Sequence, residues 1–176
     1  MLGGILVVGV ASICRAADGA WDASKLVSEK ACAACHGVKL GDQAGIWAKG
    51  PHANAFKALA SDKAKEAAKA AGVEDAQQSG KCLKCHSTAY GFTETKASAE
   101  LAVEDGVTCQ SCHGPAKDYK LKHSKDLAAA KATLGLIVPT AENCQKCHNK
   151  ENPTQKAEFD FAAAKEKIKH PLTKTK

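Results

Sequence analysis

Aromatic residues are scarce in this chain of 176 residues: two Trp, two Tyr and four Phe, 5% in all. A protein-only core of this size would be thin, because large side chains supply much of the burial in a small domain. No stretch alternates apolar and polar residues well enough for a half-buried strand, so little or no strand is expected. Long apolar runs are missing too. Residues 2–13 form a short uncharged run, too short to cross a bilayer as a helix, followed by small residues around Ala16 and Ala17. Residues 1–17 therefore read as a cleaved secretory signal peptide, with 18–176 as one mature domain and export to the periplasm as the destination. Cys14 lies in that leader, and Ile13 before it is not the small residue a lipidation signal needs.

Cysteine and histidine are present in a pattern. Cys-x-x-Cys-His occurs four times, as Cys32-Ala33-Ala34-Cys35-His36, Cys82-Leu83-Lys84-Cys85-His86, Cys109-Gln110-Ser111-Cys112-His113 and Cys144-Gln145-Lys146-Cys147-His148. This is the attachment signature of c-type haem, in which two thiols bind the vinyl groups and the adjacent His ligates the iron. At this Cys and His content, chance gives roughly 0.02 such pentapeptides. Paired Cys-x-x-Cys can also hold structural zinc, but zinc does not require a His after every second Cys. Disulfides across residues three apart are rare outside redox motifs. The nine cysteines are the eight of the motifs and Cys14. The chain is read as carrying four covalently attached c-type haems (heme c).

Four porphyrins would supply the burial that the sequence lacks. The expected fold class is all-α, a small multihaem cytochrome c fold of short helices and loops wrapped around four haems. Helices are expected over residues 22–30, 52–71 stopped by Gly72, 117–134 stopped by Gly135, and 158–169 stopped by Pro171. Each motif should sit on a short helical turn, with Thr140 or Asn143 capping the fourth. The formal charge of +6 overstates the holo-protein. Leader loss, propionates and ferric cores bring it to about +1 oxidised and about −3 reduced, so nucleic-acid binding is not implied. Two lysine clusters remain, one of Lys117, Lys120, Lys122, Lys125 and Lys131, the other of Lys165, Lys167, Lys169, Lys174 and Lys176. They are solvated helix faces or a docking patch for an acidic redox partner.

The histidine count constrains the chemistry. Of seven His, four are the proximal residues His36, His86, His113 and His148, leaving His52, His123 and His170 as distal ligands. Met1 leaves with the leader, so no haem can gain the higher potential of His/Met ligation. Three distal His cannot serve four irons. At least one iron is five-coordinate, water-ligated or bound by an unusual group: a Lys, Tyr90, Tyr119 or the mature N-terminal amine.

Trp47 followed by His52-Ala53-Asn54-Ala55, the third motif in Gly106-Val107-Thr108 through Gly114-Pro115, His123 after it, and Phe159-Asp160 with Lys169-His170 share an order. In that order the chain resembles the tetrahaem cytochrome c-554 family, whose members accept electrons from hydroxylamine oxidoreductase. The resemblance implies three bis-His haems and one five-coordinate haem, the second, held by His86. It further implies His123 opposite His36, His52 opposite His113 and His170 opposite His148. Pro51 and a shorter 149–158 segment depart from the family pattern. The function implied is electron transfer without enzymatic turnover, between an oxidoreductase donor and a quinone-linked or cytochrome acceptor. The alternatives are a reductase of nitric oxide or another nitrogen oxide at the open haem, and a conductive filament subunit.

Overall fold

The computed structural model describes residues 21–155 and 157–170. The expected leader with Cys14, the stop at Pro171, and the terminal Lys174 and Lys176 lie outside the described residues. Among the described residues every regular element is helical and no strand occurs, so the fold is all-α. The α-helices are α1 (Lys30–Ala33), α2 (Gln43–Lys49), α3 (Ala55–Ala58), α4 (Asp62–Ala70), α5 (Gly80–His86), α6 (Cys109–His113), α7 (Leu127–Thr133), α8 (Ala141–Gln145) and α9 (Phe161–Ile168). None of these helices is long and apolar enough to cross a membrane.

The helices are shorter than the sequence predicts, because capping residues inside the expected runs restart them. Ser61 divides the helix expected over 52–71. Its Oγ accepts from the Ala64 N–H at 3.3 Å and donates to Ala58 O at 2.8 Å. A hydroxyl that satisfies an orphan N–H favours a helix start over a helix interior. Gly72 then ends α4 at φ +67°. The helix expected over 117–134 is turn through residue 125; Asp126 Oδ1 takes the Ala129 N–H at 2.8 Å and starts α7, which Gly135 ends at φ +83°. Asp160 likewise delays α9 to Phe161 by accepting from the Ala163 N–H at 3.0 Å. The helix expected over 22–30 is only a 3-10 turn, Ala23–Lys25, capped by Asp22. α8 follows the expected cap, with the Thr140 N–H donating to Asn143 Oδ1 at 3.0 Å. α2 was not foreseen.

The apolar core is small and divided. Among the described residues eleven apolar side chains are buried, and five of them are alanine. They form three separate clusters. Val27, Ala116, Tyr119 and Ala130 join the leading segment to the stretch after the third motif. Leu59, Ala68, Ala76 and Leu83 pack α3 and α4 on α5. Leu26, Ala89 and Leu101 fill a third, with Tyr90 packed against both it and the second. A polar clip reinforces the first cluster. Gln110 is fully buried: its Oε1 accepts from Val27 N–H and Ala116 N–H, each at 3.0 Å, and its Nε2 donates to Val27 O at 2.7 Å.

Candidate haem-ligand site

Four short helical turns present the motif histidines, and backbone carbonyls orient four of the site's imidazoles, among them His170, whose Nδ1–H donates to Ile168 O at 3.1 Å. The His86 Nδ1–H donates to Ala55 O at 2.8 Å, and the His113 Nδ1–H to Ile137 O at 3.1 Å. The His123 Nδ1–H donates to Tyr119 O at 3.0 Å. Holding Nδ1 in this way fixes the tautomer and leaves Nε2 for a metal. The Gln43 side chain hydrogen-bonds to His36. Burial holds His36, His52, His113 and His148 below the ordinary imidazole pKa, which favours the neutral, ligating form.

The imidazoles meet in three pairs. His36 and His123 lie with ring centroids 5.7 Å apart and planes 14° from parallel. His113 and His170 are 5.9 Å apart, and His52 and His148 are 6.1 Å apart. A metal bound by two imidazoles needs about 2 Å to each nitrogen and about 1 Å more to each centroid, so about 6 Å in all. Every pair joins one motif His to one His outside the motifs. Among the described residues no second imidazole is paired with His86.

The pairing corrects one implication of the resemblance. His123 does stand opposite His36. His52, however, faces His148 rather than His113, and His170 faces His113 rather than His148. Phe159 stacks on His148 with centroids 4.8 Å apart, so the chain enters α9 at the fourth motif. The eight residues of α9 then span about 12 Å, which carries His170 away to the third motif. His52 is held from behind, where its carbonyl accepts from the Val107 N–H at 3.0 Å. Gly106 permits that approach. Its φ is +68°, and a Cβ there would fall 2.9 Å from His52 O and 2.8 Å from Ala53 O. The Trp47 indole N–H closes the same junction on Val107 O at 2.8 Å.

Tyr119, a candidate unusual ligand by sequence, is committed elsewhere. Its hydroxyl donates to His113 O and Gly114 O at 3.0 and 2.8 Å, and its ring sits edge-on to His123. Lys84 within the second motif bridges Glu94 and Glu151 at 3.4 and 3.6 Å. Phe159 and Gln110 are the supporting residues whose roles sequence reasoning missed. The only signal for Gln110 was a polar residue inside a motif.

The eight motif thiols are free, and those of different motifs adjoin. Cys32 hydrogen-bonds to Cys109, Cys85 to Cys147, and Cys112 lies beside Cys144. Burial pushes the Cys112 thiol up to about 11. The thiols thus link the motifs in the order first, third, fourth, second. A cavity of about 750 Å³ opens among the last three, lined by Cys85, Cys112, Cys147 and the pairs His52/His148 and His113/His170. Ser87 Oγ, on its wall, is buried with no hydrogen-bond partner among the described residues. A large apolar cofactor bearing carboxylates fits this lining and gives that hydroxyl an acceptor. Zinc does not fit, since among the described residues no three His, Cys, Asp or Glu side chains converge as its tetrahedral ligands must.

No solved structure matches the chain. A family model described as cytochrome c554 and c-prime matches residues 31–114, the stretch holding the first three motifs. Cytochrome c-554 of Nitrosomonas europaea is 29% identical over 137 residues, covering 68% of this chain and 55% of that protein. The chain therefore spans about half the length of that curated relative. Three motifs inside the matched stretch, on an all-α fold, make this chain similar to the cytochrome c-554 family, a likeness that supports covalently bound c-type haem.

Proposed function

We propose that residues 18–176 form a periplasmic tetrahaem electron carrier. Cys32 and Cys35, Cys82 and Cys85, Cys109 and Cys112, and Cys144 and Cys147 would each hold one haem. His36, His86, His113 and His148 would be the proximal ligands, and His123, His170 and His52 the distal ligands opposite His36, His113 and His148. The second site, at His86, would be five-coordinate. The three imidazole pairs at metal-bridging separation carry this reading. When bound, each haem iron takes up and releases one electron.

The chain's own residues suit that task. Buried neutral imidazoles hold the ligand positions, and fixed carbonyls keep the rings from turning. The adjoining thiols bring the four sites close along one line, from the first through the third and fourth to the second. A donor such as a hydroxylamine oxidoreductase-like enzyme would load this line, and a quinone-linked or soluble acceptor would drain it. A pyridine haemochrome assay with intact mass should give four covalent haems per chain, reduced and reoxidised without net consumption of hydroxylamine or nitric oxide. Fewer than four haems would overturn the tetrahaem reading. Saturable turnover well above that of free haem would favour the reductase instead.

A further inference from the structure

The two lysine clusters are not equivalent in the fold. On the described part of α9, Lys169 pairs with Glu166. Glu158 and Asp160 flank that helix, so acids match bases there. The 117–131 stretch differs. Its two carboxylates are engaged, Asp118 with Lys25 at 2.8 Å and Asp126 as the cap of α7. Among the described residues no ion pair neutralises Lys120, Lys122, Lys125 or Lys131. Between these lysines two large apolar side chains stand in the open, Leu121 at 75% exposure and Leu127 at 51%. The same short stretch carries His123, opposite His36, and Lys120 is an electrostatic neighbour of Cys32. A basic rim around an apolar centre therefore lies directly over one end of the line of sites.

We propose that this surface, Lys120 to Lys131 around Leu121 and Leu127, is the docking site for a redox protein with a carboxylate-ringed donor edge. The inference rests on the electron-carrier reading and adds the place of exchange. Charge complementarity selects the partner: four lysines against one engaged aspartate attract an acidic face and repel a basic one. The exposed leucines then gain by losing water in the docked pair. A haem held by Cys32, Cys35, His36 and His123 would supply a one-electron acceptor behind this surface, gaining the one electron that the partner's centre loses, with no atom transferred; the lysines and leucines would dock and orient the partner.

The test uses the holo-protein with flavodoxin, a small acidic flavoprotein, as probe. Binding is measured by surface plasmon resonance at low and high salt for the parent, for Lys122→Glu/Lys125→Glu/Lys131→Glu, and for a control triple, Lys57→Glu/Lys63→Glu/Lys69→Glu. All six residues are exposed. The patch triple should weaken binding at low salt by at least about tenfold and lose the salt dependence, while the control changes it less than about threefold. Equal weakening by both triples would reduce the effect to net charge and overturn the docking site, as would an unchanged patch triple. Reduction by a photogenerated neutral flavin semiquinone, which needs no charged surface, should proceed at the parental rate in both triples. A parent that binds flavodoxin but resists the semiquinone would overturn the carrier reading instead.

Discussion

Residues 21–134 and residues 141–170 are held by different means. Every buried side chain among the described residues precedes residue 131, and α8 and α9 bury none. The first region has three apolar clusters and the Gln110 clip of its own. The second has His148 and His170, a Phe159 stack and one wall of the large cavity. We propose that its order comes from what fills that cavity, because a segment with no fully buried side chain offsets little of its own conformational entropy. The larger region is scaffolded by protein, and the short second region is the one that depends on the proposed cofactor.

The largest effect should follow from removing the fourth attachment. In Cys144→Ser/Cys147→Ser, limited proteolysis should cut within residues 141–170 at least about tenfold faster than in the parent, leaving a protected fragment that ends near residue 134. Digestion of both regions at one rate would break the comparison. Gln110→Ala strikes the protein-scaffolded half. It leaves buried groups of Val27 and Ala116 without partners, a loss of about 3 kcal/mol, which calorimetry should read as a fall in Tm of about 10 °C.

A smaller effect is tied to pH. Burial, reinforced by Asp105, raises the pKa of Glu29, one of whose oxygens has no hydrogen-bond partner among the described residues. The folded chain therefore binds that proton more tightly than the unfolded chain. The contribution is complete below the ordinary glutamate range and is lost as pH rises through the raised folded-state value. Glu29→Gln should stabilise the protein at pH 7 by less than about 1 kcal/mol, since the carboxyl is still partly wetted, and the gain should vanish near pH 4. Denaturant midpoints at the two pH values check this. A gain of the same size at both would contradict it.

The chemistry of the site was more legible than its geometry. Cys-x-x-Cys-His is a local signature, so the four motifs and the surplus of motif histidines over the three outside them could be read without a fold. The stops at Gly72 and Gly135 were legible for the same reason, since each needs a positive φ that glycine adopts without strain. Ser61 and Asp126 were absorbed into helices rich in Ala and Lys, because composition does not distinguish a cap from an interior polar residue. The partners of His52 and His170 depend on where α9 begins and how far it reaches, which sequence order does not encode. Gln110 could not be foreseen, as its three partners come from residues 27 and 116.

The central claim is three paired sites and one open site, and spin-quantified EPR of the oxidised holo-protein addresses it directly. Three low-spin ferric haems and one high-spin haem that binds nitric oxide are expected, with His86→Ala altering only the high-spin signal. Four low-spin haems would contradict the claim, since His86 would then have a sixth ligand that the imidazole pairs do not supply.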